Sequence, residues 1–406
     1  MNFLADEKTT RLLIYSHYFA PNVGGVETSV LALANGLSLI SFQSSAKSFE
    51  VTVATQTPAA QYDDQLLNFR VVRQPSLWML IRLILKFDLI HLAGPSLWPQ
   101  LLCYLARKPV VLEHHGYQST CPNGLLIHQP ERSICPGYYL NRKHLECLKC
   151  QGAELPFWKA IVNMFLMGPR HFLSRSAAVN ISITNHVRNR QKLPRTQTVY
   201  YGIEDPLTAR GASHRDVSKT FCFAFVGRLV HEKGIPVLLE SIRILKGEGL
   251  FFDVKLVGDG PLRAQIEQLI QEKGIQDFVT ITGFLRGEAL ESTMDKVAVV
   301  VMPSVWEETA GLAAIEQMMR GRPVIASDIG GLAEVVGDAG LLSPVGDSVA
   351  LAECMRKLIV DPSLVEKLGN KAREHALTLF QRSRMVEDHA RIYIQILDRR
   401  NTPDKV

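Results

Sequence analysis

The sequence predicts an α/β fold with two doubly wound parallel sheets, one after the other along the chain. Three observations predict it. Short apolar segments rich in β-branched residues alternate with segments of helical periodicity through most of the chain. The alternation lapses once, into a polar stretch with proline and glycine at residues 205–219, and then restarts. The chain of 406 residues is also too long for a single hydrophobic core.

The first half begins with a strand at residues 11–16 and a turn that contains Gly24 and Gly25. A helix follows, and its apolar residues recur on one face up to residue 37. Because helical segments separate the strands, we expect a parallel sheet covered on both faces. The further strands of this half are predicted at residues 50–55, 88–92, 109–113, 179–183 and 198–201.

The second half repeats this pattern. Its strands are predicted at residues 221–227, 252–258, 279–282, 297–302 and 323–326, and its helices at residues 235–246, 261–273, 312–320 and 348–359. A last amphipathic helix is predicted at residues 384–399. We therefore predict domains at residues 1–205 and 206–383, and a terminal segment at 384–406. Ligands of such sheets bind beyond the carboxyl ends of the strands, so a cleft between the two halves is the expected site.

The composition is that of a globular protein, and the formal net charge of +5 comes mostly from the first half. This charge suits a nucleotide, an anionic lipid or a plain basic surface, and it is too weak to indicate nucleic acid binding. Asp6, Glu7 and Lys8 stand where a signal peptide would be apolar. No apolar run is long enough to span a bilayer. The expected location is cytoplasmic, either free or peripheral on the cytoplasmic face of a membrane.

The strongest candidate site runs from Glu308 to Glu316 and is followed by the segment Gly-Arg-Pro-Val-Ile-Ala-Ser. Gly311 stands where a loop passes into a helix that begins at Leu312. Backbone N–H groups point outward at a helix start and the helix dipole favours an anion, so a diphosphate suits this position. The two carboxylates suit the hydroxyl groups of ribose or hexose rings. The alternative is that Glu308 caps the helix and Glu316 is a solvated helix residue.

Three smaller motifs accompany this segment. Arg228 and Lys233 bracket the loop after the first strand of the second half, where two cations suit a diphosphate leaving group. Gly24 and Gly25 allow backbone amides to approach a ligand closely, but no full G-x-G-x-x-G is present, which counts against a dehydrogenase. His115 follows a strand end and is expected to face the cleft. Taken singly, such motifs are more often plain turn, surface or structural residues.

In this order, the segments resemble the retaining glycosyltransferases of family 4, which have the GT-B fold of two Rossmann-like domains. The resemblance covers nearly the whole chain. It implies an acceptor-binding N-terminal domain, a C-terminal domain that binds a nucleotide sugar, and a last helix that crosses back onto the N-terminal domain. The matching segments are residues 21–27, 88–91, 112–116, 227–234, 257–261, 308–316 and 330–336.

The resemblance also assigns roles to single residues. It implies that Glu308 contacts the hydroxyls of the donor sugar, that Glu316 holds the ribose and that His115 lies near the reacting carbon. Arg228 and Lys233 would stabilise the leaving diphosphate. The implied donor-binding residues are Gly24, Gly25, Arg228, Lys233, Glu308, Gly311, Leu312 and Glu316, and the implied catalytic residues are His115, Arg228, Lys233 and Glu308.

Three positions depart from the family pattern and leave the donor sugar open: Thr309-Ala310 replaces Gly-Phe, Gly116 replaces Asp, and Tyr201 replaces Asn. No D-x-D motif is placed to hold a divalent ion, so we predict hexosyl transfer that requires no metal or cofactor. The expected reaction moves a hexose-type sugar from a nucleoside-diphosphate sugar to a glycan or lipid-linked acceptor, in polysaccharide or glycolipid synthesis. The resemblance implies front-face attack with retention. The alternatives are a non-catalytic scaffold that binds nucleotide sugar, or an epimerase or phosphorylase of the same fold.

Four of the seven cysteines lie within thirty residues, as Cys121, Cys135, Cys147 and Cys150. The last two form C-x-x-C, which in a cytoplasmic protein favours zinc over a disulfide. The gaps before them are long, so a structural zinc ion, free thiols and a redox-sensitive pair all stay open. Residues 77–86 and 157–175 combine apolar and basic residues. They suit either peripheral contact with an anionic membrane or ordinary packing on the sheet.

Overall fold

The computed structural model describes residues 9–39, 48–60, 62–207 and 221–401. Most of the predicted polar linker at 205–219, the start of the chain and residues 402–406 lie outside the described residues. The chain divides into two compact units. Unit 1 comprises Met1–Ile203 and Gln381–Val406, and unit 2 comprises Glu204–Phe380. The sequence predicts the corresponding domain boundaries after residues 205 and 383, within a few residues of these limits.

Unit 1 contains a parallel sheet in the order β3-β2-β1-β4-β5-β8-β9 and a small antiparallel pair, β6-β7. The strand order reverses between β1 and β4, which is the topological switch point of a doubly wound sheet. Its strands are β1 Thr10–Ser16, β2 Phe49–Thr55, β3 Arg70–Arg73, β4 Leu89–Ala93, β5 Val110–His114, β6 Ile127–His128, β7 Ser133–Ile134, β8 Val179–Ser182 and β9 Thr196–Thr198. Its helices before unit 2 are α1 Gly25–Leu39, α2 Leu77–Lys86, α3 Leu97–Leu105, α4 His144–Gly152, α5 Phe157–Ser176 and α6 Asn185–Gln191.

Unit 2 contains a parallel sheet in the order β12-β11-β10-β13-β14-β15, with its switch point between β10 and β13. Its strands are β10 Cys222–Val226, β11 Asp253–Val257, β12 Val279–Gly283, β13 Val299–Met302, β14 Val324–Ser327 and β15 Leu341–Ser343. Its helices are α7 Ile235–Gly247, α8 Arg263–Glu272, α9 Gly287–Asp295, α10 Leu312–Met319, α11 Gly330–Val336, α12 Ser348–Val360 and α13 Pro362–Leu379.

The last helix, α14 (Arg382–Asn401), belongs to unit 1 and packs against α1. Alternate residues of β1 point to opposite faces of the sheet. Leu12 and Ile14 pack with residues of α1 and α14, whereas Leu13 packs in a second cluster with residues of α2 and α3. The sheet is therefore covered on both faces, as the uninterrupted apolar strands require.

Candidate functional site

Three loops of unit 2 meet beyond the carboxyl ends of β10, β11 and β13. The N–H of Leu229 donates to the carbonyl of Asp259 at 3.0 Å, and the N–H of Val305 donates to the carbonyl of Glu232 at 3.0 Å. Glycine permits this close approach: a Cβ on Gly234, whose φ is +64°, would overlap the carbonyl oxygen of Pro303. The loops therefore hold one another in place at the switch point of the sheet.

A buried ion pair lies among these loops. Lys233, in a short 3₁₀ turn after β10, places its Nζ 2.8 Å from Oε1 of Glu308. The same carboxylate oxygen accepts a short hydrogen bond from the Ser304 hydroxyl. The Glu308 side chain is only 5% exposed, and that of Lys233 is 19% exposed. Two of the predicted site residues are thus in direct contact, and Ser304 is a third member that the sequence did not single out.

Helix α10 begins beside this pair. Gly311 precedes it with a φ of +78°, and a Cβ at Gly311 would stand 3.7 Å from Oε2 of Glu308. The positive end of the α10 dipole, at Leu312, is therefore close to the Glu308 carboxylate. Glu316 lies one turn further along α10, where burial raises the pKa of its carboxyl and the nearby Arg320 opposes that shift.

Arg228 lies two residues after the end of β10, and its side chain is exposed, in contrast to that of Lys233. The structure therefore brings Lys233, Glu308 and Gly311 together, whereas the Arg228 side chain lies at the exposed surface. An anion at the start of α10 would meet the helix dipole and the Lys233 ammonium group.

In unit 1, His115 follows β5 and contacts Tyr201. Its Nδ1 lies 2.8 Å from the Tyr201 hydroxyl, and the two rings stack with their centroids 5.6 Å apart. A Cβ on Gly25 would stand 3.7 Å from the same hydroxyl. Gly25 and His115, which the sequence analysis treats as separate motifs, therefore both lie next to the Tyr201 hydroxyl. Burial, together with the nearby Glu113 and Glu27, raises the pKa of Tyr201 well above its ordinary value, so its hydroxyl stays protonated.

Glu113 is a buried carboxylate surrounded by histidines. Its Oε2 lies 3.2 Å from Nε2 of His91 and 3.4 Å from Nε2 of His115, and its Oε1 lies 3.6 Å from Nε2 of His389. Burial alone would raise the pKa of Glu113, but His115, His389 and His91 together hold it well below its ordinary value. The ionised carboxylate therefore orients His115 from one side while Tyr201 holds it from the other.

The four clustered cysteines are buried and line one small cavity in unit 1, at α4 and the β6-β7 pair. Among the described residues, the group of potential ligands whose atoms all lie within 4.8 Å of one another is a different one: His91, Glu113 and His389. The cysteine thiols are more widely spaced around their cavity.

Several functional candidates were not apparent from the sequence. Ser304 stood beside Pro303 in the loop before Glu308, but nothing in the pattern linked its hydroxyl to that carboxylate. Glu113 was visible as a charge in an apolar strand, which is a signal of a buried partnered group. The partner His389 lies on α14, and its distance along the chain concealed the contact.

Residues 211–375 match the family model described as "Glycosyl transferases group 1". A 2-deoxystreptamine glucosyltransferase of Streptomyces kanamyceticus is 38% identical over 143 residues, which are 35% of this chain and 37% of the relative. An O-antigen chain mannosyltransferase C of Escherichia coli is 26% identical over 252 residues, which are 59% of this chain and 66% of the relative. The chain spans less than two thirds of the length of these curated relatives.

Solved structures resemble nearly the whole chain. Anabaena HepE in complex with UDP-glucose has a TM-score of 0.68 at 17% identity, and the match covers 95% of this chain and 100% of HepE. Sucrose-phosphate synthase of Thermosynechococcus elongatus has a TM-score of 0.68 at 21% identity, with 96% and 99% covered. At these identities the likeness concerns the fold, and the predicted GT-B fold class with Rossmann-like domains is confirmed.

Proposed function

We propose that the protein is a retaining, metal-independent glycosyltransferase that moves a hexose-type sugar from a nucleoside-diphosphate sugar to a glycan or lipid-linked acceptor. The observation that carries this proposal is the Lys233–Glu308 pair at the start of α10. It combines a cation for a diphosphate, a carboxylate for sugar hydroxyls and a helix N-terminus for an anion. The pair lies inside the segment that matches the glycosyltransferase family model.

In this mechanism, the anomeric bond breaks while negative charge builds on the leaving diphosphate. Lys233, Arg228 and the N–H groups at Gly311 and Leu312 stabilise that charge. Glu308 exchanges its contact with Lys233 for hydroxyls of the donor sugar. The Lys233 ammonium group is then available to the diphosphate. Donor binding therefore frees both Lys233 and Glu308 for their contacts with the donor.

The relatives of the chain support this assignment. They include a glucosyltransferase, a mannosyltransferase of O-antigen chains and an amylovoran biosynthesis glycosyltransferase. The structure of HepE contains UDP-glucose. We therefore propose a hexose on a nucleoside diphosphate as the donor and a saccharide-bearing molecule as the acceptor. His115, Gly24 and Gly25 are proposed to contribute to the same reaction from unit 1.

We expect one nucleotide sugar to raise the melting temperature of the protein and the Glu316→Ala variant to lose this response. A ligand of the folded state at a hundred times its Kd stabilises by about 2.7 kcal/mol. The measurement is a thermal-shift screen of uridine, guanosine and adenosine diphosphate sugars, each with and without a chelator. Glu366→Ala, which changes an exposed residue of α13, is the control and should respond like the wild type. If no nucleotide sugar shifts the wild type, the proposed donor site is wrong.

The acceptor is proposed to be held at a membrane surface that unit 1 contacts through α2, α3 and α5. These helices are neighbours, and no helix among the described residues is long and apolar enough to cross a membrane. Large apolar side chains on them point to solvent, among them Trp78, Trp98, Phe157, Trp158, Phe165 and Phe172. Exposed cations accompany them at Arg82, Lys86, Lys159 and Arg175. Tryptophan beside cations favours the interface of an anionic bilayer.

We expect the double variant Trp158→Ala/Phe165→Ala to bind anionic vesicles at least about tenfold more weakly, since two large apolar side chains leave the interface. Cosedimentation with phosphatidylglycerol-containing vesicles measures this. Phe251→Ala is the matched control, because Phe251 is 83% exposed but lies in unit 2. Equal vesicle binding by all three proteins would refute the membrane contact. If the wild type forms dimers and the double variant does not, the exposed apolar face of these helices binds a second copy of the chain instead of a membrane.

A further inference from the structure

The segment between β5 and α5 folds around four thiols. Cys121 follows a turn after β5, Cys135 directly follows β7, and Cys147 and Cys150 lie one turn apart on α4. The N–H of Cys135 donates to the carbonyl of Leu126 at 2.7 Å, which ties two parts of this segment together. All four side chains are buried and line the same cavity, together with the buried His128. Four separate positions in the chain therefore line one cavity.

The cysteines are not only packed as buried apolar side chains, because polar N–H groups contact one of the sulfurs. The Gln129 N–H lies 3.4 Å from Sγ of Cys150, and Nδ2 of Asn123 lies 3.4 Å from the same sulfur. Such donors stabilise a thiolate and add little to a neutral apolar thiol. Sγ of Cys150 thus has two N–H donors within reach in a buried place.

A buried thiolate cluster requires a compensating cation. The cavity has a volume of about 10 Å³, which is the space of one water-sized sphere. It accommodates one ion, and it is too small for a cluster of several irons and sulfides.

The more compact group His91, Glu113 and His389 is a weaker candidate. Nδ1 of His91 lies 2.8 Å from the Tyr393 hydroxyl, and Nδ1 of His389 lies 2.8 Å from the carbonyl of Met385. The Nε2 atoms of both rings face the ionised Glu113. The Nδ1 atoms of both rings are therefore occupied by hydrogen bonds, and the carboxylate is already in contact with histidine side chains.

We infer that Cys121, Cys135, Cys147 and Cys150 bind one structural Zn²⁺ ion in tetrahedral geometry. Binding replaces the protons of the four thiols by the metal and releases them to solvent, and the sulfurs draw closer around the cavity. The ion fixes the segment 117–154, which has short strands and one helix and little apolar core of its own. This site is independent of the proposed glycosyl transfer chemistry.

The test is the metal content of the full-length protein purified without a histidine tag, measured by mass spectrometry together with acid-labile sulfide. We expect about one zinc per chain and no sulfide. The variant Cys147→Ser/Cys150→Ser should lose the zinc, while Cys354→Ser, a cysteine of unit 2, should retain it. Protein reconstituted with Co²⁺ should show the strong thiolate charge-transfer absorption and the visible bands of tetrahedral cobalt, which do not depend on any variant folding.

Three results would overturn the inference. Wild-type protein that binds neither Zn²⁺ nor Co²⁺ with its thiols reduced would show that the cysteines are free. Iron with stoichiometric sulfide would assign a cluster. A disulfide between Cys147 and Cys150, found by mass mapping of protein purified with no reductant, would assign a redox pair. Removal of the zinc should also increase hydrogen exchange within residues 117–154 and leave unit 2 unchanged, which a surface-bound ion would not do.

Discussion

Lys233→Met should lower kcat/KM for sugar transfer by about 10²- to 10³-fold, the usual effect of removing one preorganised electrostatic group from a transition state. The Lys233 ammonium group lies 2.8 Å from Glu308 and next to the start of α10, where the diphosphate is proposed to leave. Methionine retains most of the length of the side chain but none of the charge. The measurement is steady-state transfer with the nucleotide sugar identified in the binding screen.

Two further variants are compared with Lys233→Met, one as a surface control and one at its ion-pair partner. Lys367→Met removes a lysine that is exposed on α13, and its activity should equal that of the wild type. Glu308→Gln keeps a hydrogen-bonding group beside Ser304 but removes the charge that is proposed to contact the sugar, and it should lose activity to a similar extent. Circular dichroism of each variant separates catalytic loss from misfolding. Near-normal transfer by a folded Lys233→Met protein would contradict the proposed role of the pair. Because the proposed mechanism retains configuration, the product should have the anomeric configuration of the donor sugar.

Gly234→Ala should destabilise unit 2 by several kcal/mol and abolish donor binding. An alanine at a φ of +64° costs about 1 kcal/mol by itself. Its Cβ would in addition overlap the Pro303 carbonyl, which is backbone and cannot rotate away. One of the two loops must therefore move, and these loops carry Lys233 and Glu308. The measurement is urea denaturation followed by the nucleotide-sugar thermal shift.

Gly274→Ala is the matched control for this substitution. Gly274 has a φ of +60°, close to that of Gly234, but a Cβ there meets no atom within 4 Å. The free energy of unfolding of Gly274→Ala should fall by only about 1 kcal/mol, the conformational cost of alanine at a positive φ, and donor binding should be unchanged. If the two alanine variants were equally stable, the close packing of the two loops would not be a constraint on the fold.

The fold could be predicted from the sequence wherever a strand was apolar and several residues long. The strands β1, β2 and β10 have uninterrupted buried runs, and their helices have a clear apolar face. In contrast, β3 is four residues long with an arginine at each end, and β15 has three residues, so neither has enough periodicity to stand out. Both lie at an edge of their sheet, where fewer apolar residues are needed.

The candidate site was predicted less completely, because motifs locate residues along the chain and contacts join distant ones. Glu308 and Lys233 were recognised by their local patterns, and the structure adds the bond between them. Tyr201 appeared only as a departure from a family pattern, whereas its hydroxyl binds His115. His389 belonged to an amphipathic helix face, and a histidine on such a face is usually a core residue. Its contact with Glu113 depends on the tertiary fold and has no local signal.

The placement of α14 has a consequence for the order in which the chain folds. Unit 2 is one continuous segment, but unit 1 is completed only by Gln381–Val406, after all of unit 2 has been synthesised. Until then, the face of the first sheet that includes Leu12 and Ile14 lacks part of its cover, and Glu113 lacks His389. Contacts between such distant segments form slowly, and a buried charge without partners is costly. The unit synthesised first is therefore expected to reach its native state last.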